Sequence, residues 1–291
     1  MAATTMRVGW IGTGIMGKSM CGHLIDAGYD VMVYNRTRAK CMELQNKGAK
    51  VVDSVAQVAE YADVVFNIVG YPTDVEQVIL GPNGVLEKMK SGGIVVDMTT
   101  SEPSLAERIF EEARKRQLHA IDAPVSGGDT GAKQGTLSIM IGGENEAVQR
   151  IQPLLKHFGK NIRHMGPAGA GQHTKMINQI LISTTMIGVV EGLLYAHKSG
   201  LDAKQVIEAV GAGAAASWSI NNLGPRIAER NFDPGFMVEH FIKDMGIALK
   251  EAQALGLSLP GLALAHQFYL AVKVRASSTI IVYRLSSLDP V

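Results

Sequence analysis

The sequence predicts an α/β fold class in two parts: a doubly wound parallel sheet at the N-terminus, then a long interdomain helix and an all-helical C-terminal domain. Three observations predict it. Short apolar, β-branched runs alternate with amphipathic stretches through the first half of the chain. The first such run leads straight into a glycine-rich turn. After the turn-forming run at 166–171 the alternation stops, and helical periodicity continues almost to the end. A chain of 291 residues suits two domains of ordinary size, expected at 1–168 and 169–291.

In order, strands are expected at 6–11, 31–34, 64–69, 94–97 and 119–122, with helices over 18–27 and 104–116 among them. Apolar on both faces, these strands read as a parallel sheet covered on both sides. A strand over 136–141, a helix over 146–158 and a strand over 161–165 complete the first domain. Helices follow over 172–198, 203–211, 217–229, 238–255 and 262–274. The stretch 176–196 is apolar enough to suggest a membrane span, but Asn178, Gln179 and Glu191 interrupt it, so a buried helix is expected instead.

Bulk composition excludes several functions. Lys plus Arg number 28 against 27 Asp plus Glu, so no global field draws the chain to nucleic acid or to an anionic membrane. Two cysteines, Cys21 and Cys41, make no disulfide framework and fit a reducing compartment. The eight histidines show no metal-ligand spacing, and no metal site is expected. The first strand is expected from Met6, with only five residues ahead of it, so no signal or transit peptide is expected. A cytoplasmic protein is expected, with an organellar form left open.

The glycine-rich turn is Gly12-Thr13-Gly14-Ile15-Met16-Gly17, set between a strand and a helix. Gly12 permits the tight turn, Gly14 admits a pyrophosphate to the backbone, and Gly17 lets helix pack on strand. The helix N-terminus then offers its N–H groups to the anion. Where the second strand ends, an acid would select NAD by binding the ribose hydroxyls; Asn35, Arg36 and Thr37 stand there instead, followed by Arg38. These donors favour the 2′-phosphate of NADP, NAD remaining possible; a solvated basic loop is the alternative.

Asp122-Ala123-Pro124-Val125-Ser126-Gly127-Gly128 follows another strand. The Ser126 hydroxyl and the N–H groups of the Ser-Gly-Gly turn either cradle a carboxylate or form a purely structural turn. At the start of the long helix Lys175, Asn178 and Gln179 stand at i, i+3 and i+4, which puts an ammonium and two amides on one face amid apolar residues. A lysine desolvated there has a lowered pKa, suited to exchanging a proton with a carbonyl oxygen. Taken alone, Lys175 reads as a surface lysine near a helix start; the second glycine-rich turn and the nucleotide site favour the catalytic role. Lys243 and Asp244 are adjacent, cannot pair across one helical face, and by spacing alone read as solvated charges.

These clusters, in this order from about Met6 to Lys273, resemble the β-hydroxyacid dehydrogenase family, which includes 3-hydroxyisobutyrate dehydrogenase and the glyoxylate and succinic semialdehyde reductases. The resemblance implies a Rossmann-like domain joined by a long helix to a helical domain, commonly as homodimers or homotetramers. It implies a catalytic Lys175, a substrate-carboxylate loop at Ser126, Gly127 and Gly128, and a substrate-orienting amide on Asn178. Cofactor contacts fall on Val69, Thr100 and Lys243, Asp244 holds the lysines in place, and Phe236 lines the pocket. Gln179 stands where many members have a second Asn, and residues 274–291 depart from the family's usual last helix. The substrate is expected to be a small carboxylate. The alternatives are a decarboxylating phospho-sugar acid dehydrogenase, which needs a larger helical domain, and a non-catalytic dinucleotide-binding scaffold.

Overall fold

The computed structural model describes residues 6–232 and 235–275, and by its internal contacts the chain divides after Lys175 into two units. The first is built on a nine-stranded sheet: β1 (Val8–Ile11), β2 (Val31–Tyr34), β3 (Lys50–Val51), β4 (Val64–Asn67), β5 (Ile94–Asp97), β6 (His119–Asp122), β7 (Val125–Ser126), β8 (Leu137–Gly142) and β9 (Gly159–Gly166). Its order is β3-β2-β1-β4-β5-β6-β8-β7, with β9 against β8. From β3 to β6 every pair is parallel. The strand order reverses direction at β1, and in such sheets ligands bind beyond the carboxyl ends of the strands at that point.

The helices of this unit are α1 (Ile15–Asp26), α2 (Met42–Asn46), α3 (Val55–Tyr61), α4 (Pro72–Leu80), α5 (Val85–Lys88), α6 (Pro103–Lys115), α7 (Gly128–Gln134) and α8 (Asn145–Leu155), followed by the first residues of α9 (Ala170–Lys198). Alternate residues of each central strand serve opposite faces. Val8, Trp10, Phe66 and Val96 join one core with Phe158, whereas Ile11, Val65 and Val95 join the other with Val75 and Ile109. Two-sided burial is why these strands are apolar throughout.

The sheet departs from the all-parallel expectation at one margin, where β8 runs antiparallel to both β6 and β7. The chain between β6 and β8 forms β7 and the short α7 rather than a helix running back along the sheet, so β8 returns in the opposite sense.

The second unit holds the rest of α9, with α10 (Ala203–Gly211), α11 (Trp218–Asn222), α12 (Gly224–Ala228), α13 (Val238–Ala254) and α14 (Pro260–Arg275). Met186, Phe241, Met245 and Tyr269 lie at its core. The single helix expected over 217–229 is two, broken at Leu223; Pro225, in the first turn of α12, lacks the N–H that a continuous helix would use. The expectation of a buried helix over 176–196 also needs correction. By length and composition α9 could cross a membrane, yet only a third of its most apolar stretch is buried, and Ile177, Leu181 and Tyr195 are exposed. Its apolar face is wider than one helical core covers. The atypical tail falls mostly at 276–291, outside the described residues.

Candidate active site

The glycine-rich turn is held by its neighbours. Trp10, fully buried between Phe66 and Phe158, donates its indole N–H to the carbonyl of Gly12 at 2.9 Å. Gly12 has φ +94°, and a methyl group there would collide with the carbonyl oxygen of Ile68; one on Gly17 would strike the carbonyl of Gly12. Gly14, by contrast, faces open space. It is the N-cap of α1, whose N-terminus receives no side-chain cap and whose first turn carries no acid. Uncapped N–H groups, no negative charge and an unobstructed backbone are what a pyrophosphate requires, so these residues fit a dinucleotide. Thr13 is buried, Met16 half-buried and Ile15 exposed.

Asn35 does more than the sequence suggests. Its side-chain oxygen accepts from Thr13 N at 3.0 Å and its amide donates to the carbonyl of Thr37 at 3.0 Å, so it braces the glycine-rich turn from β2. The guanidinium of Arg36 lies 3.5 Å from Asp74 on a side chain that is 86% exposed, and Arg38 pairs with Asp53. Thr37 is exposed.

At the carboxyl ends of β4 and β5, apolar runs finish in Asn67 and Asp97. Asn67 donates to Asp97 Oδ1 at 2.9 Å, and Thr99 N donates to the same oxygen at 3.1 Å. Thr99 Oγ1 in turn accepts from Val69 N at 3.0 Å. Burial pushes the Asp97 carboxyl up to about 6, with the nearby Asp122 charge adding to the effect and hydrogen bonds from Thr99 and Asn67 opposing it. This buried cluster fixes the segments that carry Val69 and Thr100, the latter half-buried.

Asp122, at the end of β6, turns toward the start of α9. Its two oxygens accept from Gly169 N and Gln172 N, each at 2.8 Å, which caps that helix from the sheet. Burial raises its pKa, and the same backbone N–H groups oppose the rise. Gln172, fully buried, donates to the carbonyl of Thr99 at 2.7 Å and accepts from Ser101 N at 3.0 Å. One turn on, Lys175 is 6% exposed, and its Nζ donates to the carbonyl of Val125 at 2.8 Å. That carbonyl immediately precedes Ser126, Gly127 and Gly128. Gly127 has φ +131°, which favours glycine, and Gly128 opens α7 facing open space. The first unit therefore brings Lys175 against the predicted carboxylate turn and ties the same helix to the segment around Thr100.

The second unit gathers another set. Asn178 Nδ2 donates to Gln179 Oε1 at 2.7 Å, and Gln179 Nε2 donates to Asp244 Oδ2 at 2.6 Å. Lys243 Nζ lies 3.1 Å from Asp244 Oδ1, with side chains only 12% and 2% exposed. The expectation of solvated, unpairable charges at 243–244 is thus corrected. A long lysine stem folds back along its helix to its neighbour, and burial leaves both charges needing partners. Phe236 stands 39% exposed, its ring 6.0 Å from that of Phe241 and 6.5 Å from that of His240. Burial lowers the His240 pKa, with the Lys243 charge adding to the effect.

Sequence reading missed Asn67, Asp97, Thr99 and Gln172. A signal for two of these positions was present: β4, β5 and β6 are largely apolar runs ending in Asn67, Asp97 and Asp122, and polar residues at successive carboxyl ends mark a ligand edge. Among the described residues no group of His, Cys, Asp or Glu could hold a metal.

Comparison with known proteins agrees with this geometry. Residues 7–166 match the family described as the NAD binding domain of 6-phosphogluconate dehydrogenase. Residues 169–279 match the NAD-binding family of NADP-dependent 3-hydroxyisobutyrate dehydrogenase. Fold and matches together define the class, an NAD(P)-dependent oxidoreductase. The chain is 56% identical over 275 residues to probable 3-hydroxyisobutyrate dehydrogenase-like 1, mitochondrial, of Arabidopsis thaliana, covering 94% of this chain and 82% of that one. It is 38% identical over 264 residues to 2-hydroxy-3-oxopropionate reductase of Escherichia coli, covering 91% and 90%. A solved structure of Mycobacterium tuberculosis 3-hydroxyisobutyrate dehydrogenase with L-serine superimposes with a TM-score of 0.90 at 25% identity, covering 98% of this chain and 99% of that one. The chain belongs to the β-hydroxyacid dehydrogenase family, as an NAD(P)-dependent hydroxyacid dehydrogenase of the 3-hydroxyisobutyrate dehydrogenase type.

Proposed function

We propose that the protein interconverts a short hydroxy-carboxylate and its aldehyde or keto acid, with Lys175 as the general acid and base. One observation carries this reading: a lysine 6% exposed, with its Nζ 2.8 Å from the carbonyl of Val125, beside the turn at Ser126, Gly127 and Gly128. The dinucleotide, when bound, supplies or accepts the hydride. Lys175 gives a proton to the carbonyl oxygen during reduction and removes one from the hydroxyl during oxidation. The Ser126 hydroxyl and the turn's N–H groups hold the substrate carboxylate. Burial keeps bulk water from exchanging with the transferred proton.

NADP is the proposed cofactor, supported by the missing acid at the end of β2 and by Arg36, whose side chain is 86% exposed and weakly held by Asp74. The relatives' names point to methylmalonate semialdehyde and tartronate semialdehyde as first candidates, with glyoxylate and succinic semialdehyde beside them. Initial rates of NADPH and NADH oxidation with these four aldehydes test the reading. The expected result is turnover with at least one of them and a higher kcat/KM for NADPH; no turnover with any short semialdehyde or keto acid would remove the reading. A homodimer or homotetramer is also proposed, supported by exposed Ile177, Leu181 and Tyr195 on α9; light scattering of the pure protein reads it directly.

A further inference from the structure

Of the buried polar side chains in the first unit, one belongs to neither the cofactor turn nor the substrate turn and has bonds to both sides of a predicted cofactor contact. Gln172 has no exposed surface. Its amide nitrogen donates to the carbonyl of Thr99 at 2.7 Å, and its amide oxygen accepts from the backbone N–H of Ser101 at 3.0 Å. The two bonds straddle Thr100, so the backbone before and after that residue is pinned by one side chain. The backbone of Gln172 is itself fixed, because its N–H donates to Asp122 Oδ2 at 2.8 Å from the end of β6. Three residues further along the same helical face stands Lys175, anchored to the carbonyl of Val125.

We infer that Gln172 is a positioning residue that sets the register between the cofactor-side segment 99–101 and the Lys175 ammonium. The inference rests on the reading of Lys175 as proton donor and acceptor, and extends it. Three attachments contribute to where Nζ sits: Asp122 to the helix start, Gln172 to the segment around Thr100, and Nζ to Val125. All three lie within the first unit. These contacts between the proton donor's helix and the cofactor segment are therefore built into the first unit.

Only an uncharged group with one donor and one acceptor satisfies both backbone partners. A carboxylate in its place would accept from Ser101 N but have nothing to donate to the Thr99 carbonyl, and would set negative charge against that oxygen. A neutral carboxylic acid would restore the donor. The ionisable groups facing this position are Asp122, bonded to the Gln172 backbone; Asp97, bonded to Thr99 N; and Lys175, one turn on.

The test compares Gln172→Leu, Gln172→Glu and Lys175→Ala with the wild type, in the full chain, with rates expressed per dinucleotide-binding site titrated by NADPH fluorescence. Gln172→Leu is expected to lose about ten- to a hundredfold in kcat, the scale of a small misplacement of reacting groups, while the KM for the aldehyde changes less than threefold. For Gln172→Glu, the ratio of its kcat to that of the wild type is expected to rise as pH is lowered from 8 to 6, because the neutral acid reproduces the amide's two bonds. A residue that merely supports the fold would lower the number of binding sites and leave the per-site ratio flat with pH. If Gln172→Leu fails to fold, the pH course of the Gln172→Glu ratio decides alone. Per-site kcat within twofold of the wild type in Gln172→Leu, or a flat ratio in Gln172→Glu, overturns the inference while a slow Lys175→Ala leaves the proton-transfer reading standing. A fast Lys175→Ala removes both.

Discussion

The buried carboxylates behind the site have a measurable consequence at the scale of single residues. Asp97 is displaced upward to about 6 by burial, so the folded state binds a proton more tightly than the unfolded chain does. The sign follows: this contribution to stability is fully present below the unfolded pKa near 4 and is lost as pH rises through about 6. A displacement of roughly two units corresponds to about 3 kcal/mol. Asp122 is shifted in the same direction and adds to the slope. Urea denaturation of the wild type between pH 4 and 7 should show stability falling with pH from these two groups, and Asp97→Asn should show a shallower course over that window. An identical pH course in the variant would rule out Asp97 as its source. At this scale placement was legible where a motif was present: Gly12 and Gly14 lie in a strand-turn-helix unit, and Lys175 is buried with its Nζ on the carbonyl that precedes Ser126. Gln172 and Asp97 were not legible, because their partners are backbone groups tens of residues away, and no local spacing reports such a bond. The charges at 243–244 were misread for a related reason, since burial, not adjacency, decided whether they paired.

Elements show a sharper division between what pattern fixes and what packing fixes. Two-sidedly apolar strands such as β4 and β5 were evident from their unbroken apolar, β-branched runs, and the long α9 from its length. The short helices α2 to α5 and α7 were not, because stretches of 4 to 9 residues carry too few turns to establish a period. The β1-turn-α1 unit makes its own prediction. Gly14→Ala adds a methyl into open space at ordinary backbone angles, so the melting temperature should move by no more than about 2 °C, consistent with a change of a few tenths of a kcal/mol. The same methyl obstructs the approach of a pyrophosphate, and the dinucleotide Kd should rise at least about tenfold, equivalent to 1.4 kcal/mol. Gly17→Ala, which drives a methyl into the Gly12 carbonyl, should instead destabilise the fold by about 1–3 kcal/mol. Thermal melts paired with fluorescence titration separate the two, and equal effects on stability would contradict the assignment of Gly14 to the ligand.

Across the whole molecule, the two-part plan was readable because the change from alternating strand and helix to helix alone is a feature of composition over a hundred residues. By its internal contacts the chain divides after Lys175, inside α9. Lys175 thus belongs with the nucleotide unit, and the amides Asn178 and Gln179 on the next turn belong with the helical one. The central claim is that the Lys175 amine moves the proton while the fold and the cofactor cradle stand without it. Lys175→Ala, measured by NADPH fluorescence titration and by turnover of the best aldehyde on the same sample, tests it most directly. The account predicts a dinucleotide Kd within about threefold of the wild type, together with a kcat lower by roughly two to four decades. A variant that binds the cofactor normally and turns over at close to the wild-type rate would contradict it.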